Sequence, residues 1–286
     1  MKDGQSTLQP VPFAMNRALL FGPLLLIYQM PKTGSQTVEA TVRGSGLPHN
    51  ILRLHFLSRA LAAKVQEGLR EGHHDGEWER QTLEQLSCSR RIPRVLRLRR
   101  WMRVCGFDIP RIEVISAVRE PIGLALSATF ENYFHFFKNL ESATIDACRQ
   151  ELLRPREHKF VQRWFELELK AMLGIDVYAT PFPQETGFAI YEGAHARALV
   201  YRFEALKSLP KMLKQFLGRE VPQIESRNVS ESKDYAAAYR RAKQALRLPA
   251  EFVQSQCQCR MMQHFYSAAE RLEFERQWSE MSAAPV

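Results

Sequence analysis

Residues 31–37, PKTGSQT, place a lysine, a glycine and three hydroxyl side chains directly after the apolar run LLLIYQM. These are the parts of an anion grip. Gly34 permits a tight turn, and a helix opening at Ser35 would present unsatisfied N–H groups. Thr33, Ser35 and Thr37 add hydroxyl donors, and Lys32 adds a point charge. The common nucleoside triphosphate loop, G-x-x-x-x-G-K-[ST], places its lysine after the last glycine; here Lys32 precedes Gly34. No nearby aspartate is suited to hold magnesium. The segment reads as a site for a phosphate-like group without an obligatory metal, and a merely solvated Lys32 is the minority reading.

A second constellation lies in VISAVREPIGLALSATFENYF, residues 114–134. A β-branched run ends at Arg119, Pro121 opens a helix, and Ser127 follows eight residues after the arginine. Arginine's planar fork suits a phosphate; an ion pair with Glu120 is the structural alternative. His55 ends another predicted strand and is a candidate general base, with a hydrogen-bonded core histidine as the equal alternative. His49, His73 and His74 are weaker candidates, and Glu39 is a second possible base. His264, in QHFYS, is read as packing or positioning and as a candidate contact for an acceptor. Seven arginines fall among residues 90–103. Val95, Leu98, Met102 and Cys105 form an apolar stripe there, so Arg94, Arg97 and Arg100 would face outward. Such a face is usually solvated; an anionic acceptor is its functional reading.

These residues need a scaffold. Strands are expected near 24–29, at 50–58 ending at His55, at 111–120 and within 196–206. DVYATPF (176–182) and GFAIYEG (187–193) look like short strands or a hairpin. Helices are expected from Ser35 to Arg43, over 59–71, 77–87 and 90–106, from Pro121 to about Lys138, over 157–173, before Gly218, and through the last third to 267–281. Strands alternating with helices predict an α/β fold: a parallel sheet flanked by helices in three layers, with a helical C-terminal third. Ligands of such folds bind outside the carboxyl ends of the strands. Lys32, His55, Arg119 and Arg202 all fall at or just past such ends.

Composition sets the remaining bounds. The 286 residues are 45% hydrophobic, which suits one domain over 16–286 behind a flexible leader, 1–15. The net charge of +9 suits an anionic partner. Five cysteines, at 88, 105, 148, 257 and 259, suggest neither a disulfide framework nor zinc-ligand spacing. The run ALLFGPLLLIY is too short to span a bilayer and lacks a signal-peptide cleavage site, so a transmembrane segment is not expected.

The two constellations together resemble the PAPS-dependent sulfotransferases, enzymes that use 3′-phosphoadenosine 5′-phosphosulfate as sulfuryl donor. PKTGSQTV looks like their 5′-phosphosulfate loop, with Gln36 where many members carry another Ser or Thr. VREPIGLALS looks like their second signature, in which the Arg and the Ser hold the 3′-phosphate. The resemblance implies a P-loop-like fold and a donor site of Pro31, Lys32, Thr33, Gly34, Ser35, Gln36, Thr37, Arg119 and Ser127. Apart from the resemblance, the basic residues Arg227 and Lys233 of ESRNVSESK are read as closing over the adenosine phosphate. Lys32 and His55 would be catalytic, PAP the nucleotide product, and no metal is required. LVYRFEAL, the KWF-like segment 163–170 and HFYSAAERLEFERQW are similar to the bacterial branch of capsular polysaccharide synthesis proteins. That branch implies a glycan hydroxyl as acceptor; a lipid, a small metabolite and a protein tyrosine stay open. Nucleic acid is not an expected partner. A cytoplasmic location is expected, with a peripheral place on the inner membrane as the alternative. Two other classes compete: a P-loop-type kinase, disfavoured by the lysine's position, and a polyanion-binding module without catalysis, which leaves the Arg119–Ser127 spacing unexplained.

Overall fold

The structure is a computed structural model describing residues 23–58, 111–133, 143–153, 158–220 and 235–280. The leader 1–15, the arginine segment with Arg94, Arg97 and Arg100, the helices expected over 59–106, His73, His74, Arg227 and Lys233 lie outside these residues.

Strand β1, Leu24–Tyr28, is buried along its whole length. Leu24, Leu26 and Tyr28 enter one core while Leu25 and Ile27 enter another. Layers cover both faces of the strand, which is why its sequence loses hydrophobic alternation. Helix α1 (Ser35–Gly44) leads to β2 (Asn50–Leu54), parallel to β1. Strand β3 (Ile112–Val118) pairs parallel with the other side of β1. Strand β5 (Ala196–Arg202) extends the sheet parallel to β3, and β4 (Phe188–Glu192) ends it antiparallel to β5. The order is β2-β1-β3-β5-β4. The chain leaves β1 towards β2 and resumes on the opposite side at β3, so the crevice outside β1 and β3 is a topological switch point.

Helix α2 (Pro121–Tyr133) follows β3, and α3 is Ala143–Leu152. Helix α4 opens as His158–Trp164, passes through a π turn at Phe165–Lys170 and closes with Ala171–Leu173. Residues 177–179 form a single 3₁₀ turn instead of a strand, because Asp176 Oδ1 accepts the Tyr178 N–H at 3.0 Å. The hairpin partner of β4 is therefore β5. Helix α5 (Leu209–Leu217) buries Leu209, Met212, Leu213 and Phe216, an i, i+3, i+4, i+7 face against β5. It stops at Gly218, which adopts the left-handed conformation with φ 69°.

Helices α6 (Ala236–Ala245), α7 (Ala250–Cys257), α8 (Arg260–Phe265) and α9 (Ala268–Trp278) make up the C-terminal part. Ile122, Leu126 and Phe130 of α2 pack with Tyr239, Val253 and Trp278 in a separate helical core. Among the described residues no helix is long and apolar enough to cross a membrane.

Candidate functional site

The loop after β1 is built from inside. Gln29 is fully buried, and its Nε2 donates to Thr33 O and Thr33 Oγ1, both at 2.9 Å. Thr33 Oγ1 donates to the Met30 carbonyl at 2.5 Å. The Thr33 hydroxyl and Gln29 Nε2 are thus used in folding residues 29–33 into a turn, so the Thr33 hydroxyl is not the anion donor expected from sequence. Lys32 adopts φ 63°, the one positive φ of a non-glycine among the described residues. That conformation costs an L side chain about 1–2 kcal/mol. Such strain collects where a side chain must be aimed. Gly34 follows at φ 80°; a Cβ there would stand 3.1 Å from Leu206 Cδ2. Helix α1 then opens with no side-chain cap on its first turn. Its N-terminal N–H groups and positive dipole end face the space outside the strand.

Arg119, at the exit of β3, closes the other side of the crevice. Its Nη1 donates to Lys32 O at 2.9 Å, and Nη2 reaches Tyr239 Oη at 3.4 Å. The guanidinium carbon lies 4.4 Å from the centre of the Phe203 ring. One arginine thereby braces the strained lysine carbonyl, stacks on the exit of β5 and touches α6. Held this way, its planar fork is fixed in orientation. Ser127, on α2, is 6% exposed. The alternative ion pair of Arg119 with Glu120 is not the carboxylate's main role: Glu120 accepts from Ile122 N at 2.9 Å and Gly123 N at 2.5 Å, capping α2. A Cβ on Gly123 would lie 2.1 Å from Glu120 Oε1, so a larger residue there would displace the capping carboxylate.

Burial pushes the Glu120 carboxyl up to about 7, against the pull of Arg119 and with a further push from Glu204. Burial also raises Glu204, whose Oε2 accepts from the Tyr266 hydroxyl at 2.9 Å. Arg202 ends β5 as expected, but it is 9% exposed and paired with Glu270, the residue that completes the capping box of α9 with Ser267. It serves the packing of α9 on the sheet.

His55 follows β2 directly and is 9% exposed. Its Nδ1 donates to Gln29 O at 2.8 Å, the residue at which the Lys32 loop begins. This bond places the basic lone pair of a neutral ring on Nε2. The segment carrying His55 is gripped from α4. Trp164 Nε1 donates to His55 O at 2.8 Å. Glu168, fully buried, accepts from Leu57 N at 2.6 Å, Ser58 N at 3.0 Å, Ser58 Oγ and the Tyr28 hydroxyl. Burial, then the Glu168 charge, raises the Tyr28 phenol well above its usual range. Glu168 sits on the π turn, whose wider winding alters the register of the side chains that follow.

The other candidates fall elsewhere. Glu39 is held by Arg43 at 3.0 Å and Arg53 at 2.7 Å. His49 Nε2 pairs with Glu113 at 2.8 Å, at the entry to β2 and so at the end opposite the crevice. His264 stands among the rings of Tyr178, Phe182 and Phe265, centroids 4.9, 6.1 and 4.7 Å away, and burial lowers its pKa. Gln29, Glu168, Phe203, Glu204 and Tyr239 were not singled out from sequence. Glu168 carried a readable signal: it lies four residues after Trp164, a carboxylate on an otherwise apolar helix face.

A lysine loop, a helix N-terminus without a side-chain cap and a braced arginine thus meet at the switch-point crevice of the α/β sheet. A family model described as "Putative capsular polysaccharide synthesis protein" matches residues 141–267, less than half of the chain. No curated protein and no solved structure matches the chain. The matched part holds α4, β5 and α6, and so contributes Trp164, Glu168, Phe203 and Tyr239; the Lys32 loop, His55 and Arg119 lie before it.

Proposed function

We propose that this chain is a PAPS-dependent sulfotransferase with a P-loop-like fold, acting on a hydroxyl of a polysaccharide. The observation that carries the reading is the bond from Arg119 to the Lys32 carbonyl, which joins the two phosphate motifs across the β1/β3 crevice. The residues fit the donor. Pro31 and Lys32 to Thr37 surround a helix N-terminus suited to the 5′-phosphosulfate, and Arg119 with Ser127 suits the 3′-phosphate. The donor supplies an activated sulfuryl group.

The acceptor hydroxyl attacks sulfur in line, an acceptor O–S bond forms, and the bond from sulfur to the nucleotide's phosphate oxygen breaks. The chain's part is positioning and charge stabilisation. Lys32 and the N–H groups of α1 neutralise the oxygen that leaves on the nucleotide. His55 Nε2 takes the proton from the attacking hydroxyl. Arg94, Arg97 and Arg100 are assigned to the acceptor side, and Arg227 to closure over the nucleotide. The polysaccharide acceptor draws on the family description of residues 141–267.

Titration with adenosine 3′,5′-bisphosphate, adenosine 5′-phosphate and ATP, with and without magnesium, tests the reading. The bisphosphate should bind without magnesium and much more tightly than the monophosphate. Equal binding of the two would remove the 3′-phosphate site, and a magnesium requirement with preference for ATP would make the protein a kinase.

A further inference from the structure

Helix α6 carries a feature that the reaction does not use. From Tyr235 to Pro249 the sequence YAAAYRRAKQALRLP has four basic residues and no acidic one. Arg240, Arg241, Lys243 and Arg247 are all exposed. Arg240 and Lys243 lie one turn apart on α6, and Arg247 follows just past its end, where its Nη1 donates to the Gln244 and Leu246 carbonyls, both at 2.8 Å. Several exposed basic residues elsewhere stand against carboxylates: Arg43 with Glu39, Lys170 with Asp176, Arg260 with Glu166, Arg276 with Glu273. The α6 stripe has no such partner among the described residues. It starts one residue after Tyr239, whose hydroxyl meets Arg119.

We propose that α6 is a docking track for an anionic polysaccharide, which it leads towards the Arg119 crevice. Charge complementarity selects the occupant's sign. The aromatic residues select against nucleic acid: both tyrosines of the segment are buried against Phe130, so no ring is offered for base stacking. The inference rests on the sulfuryl-transfer reading for its consequence, delivery of an acceptor, but its binding test does not.

The test uses the full chain and oligogalacturonate, a carboxylated polysaccharide, as probe. Neutral dextran and a single-stranded DNA of matched charge serve as comparisons. Wild type should bind oligogalacturonate, with affinity falling as salt rises, and should ignore dextran. Arg240→Glu with Lys243→Glu should weaken that binding about tenfold or more, since each reversal replaces attraction by repulsion. Arg240→Gln with Lys243→Gln should fall between, a check that does not depend on introduced acids. Lys211→Glu with Arg219→Glu makes the same change in net charge on exposed residues in and just after α5 and should leave binding within about twofold of wild type. Adenosine 3′,5′-bisphosphate affinity should be unaltered in all variants. Equal losses in the α5 control, absence of binding by wild type, or stronger binding of the DNA would each overturn the proposal. Weakened bisphosphate binding in the α6 variants would assign the stripe to the nucleotide instead. Failure of bisphosphate binding in wild type, with oligogalacturonate binding intact, would remove the sulfotransferase reading and leave the track standing.

Discussion

At the scale of the residue, Lys32 is the point where conformation and chemistry conflict. Its backbone occupies the left-handed region at φ 63°. Glycine would adopt that region freely. Lys32→Gly should therefore raise stability by about 1 kcal/mol in urea unfolding while turnover collapses. A loss of stability would mean that the lysine side chain, and not the turn, secures the loop. His55 makes the opposite prediction. It is anchored through Nδ1, so His55→Ala should lose about two to four decades of turnover and the acidic limb of the pH–rate profile, with donor binding retained. If the variant keeps a wild-type profile, another group is the base.

At the scale of the element, helix α4 and the β3–α2 junction decide how the site is held. Glu168 accepts from three groups at Leu57 and Ser58 and from Tyr28. Glu168→Gln turns one acceptor edge into a donor facing N–H groups, and should cost about 2–3 kcal/mol. Chemical denaturation measures this; an unchanged midpoint would show that the π turn holds the segment without the carboxylate. At the β3–α2 junction, the Glu120 carboxyl is raised to about 7 in the fold from its ordinary 4.5. The folded state thus holds the proton more firmly than the unfolded chain. The contribution is complete below about pH 4.5 and is lost as pH rises through 7, a fall of about 3 kcal/mol shared with Glu204, its partner in titration. Glu120→Gln should flatten stability across that window. A wild-type slope in the variant would place the titration on Glu204 or elsewhere.

At the scale of the molecule, the crevice is assembled from parts that meet only in the folded state. A ligand that spans the Lys32 loop and Arg119 should therefore stabilise the whole fold. A hundredfold excess of adenosine 3′,5′-bisphosphate over its dissociation constant should add about 2.7 kcal/mol by mass action. Thermal unfolding reads it directly, and Arg119→Ala should abolish most of the shift. A shift that survives the substitution would place the nucleotide away from the β1/β3 crevice. The core tolerates little: Leu26→Ala, deep in a strand covered on both faces, should cost about 2–5 kcal/mol.

The sequence by itself determined the local parts. An apolar run, a lysine, a glycine and a helix start specify the first loop, because each acts on its immediate neighbours. The same holds for β3, Arg119 and the proline that opens α2. Strand-end positions for Lys32, His55, Arg119 and Arg202 were legible for that reason. Tertiary structure decided the rest. It put Arg202 into a pair with Glu270, and made residues 177–179 a 3₁₀ turn because Asp176 caps the Tyr178 N–H. It brought Trp164 to His55 across 109 positions and Glu168 to Tyr28 across 140. No local periodicity encodes such pairings. A buried carboxylate is stable only when distant donors arrive together, and that convergence is a property of the packed sheet and helices, not of any segment within them.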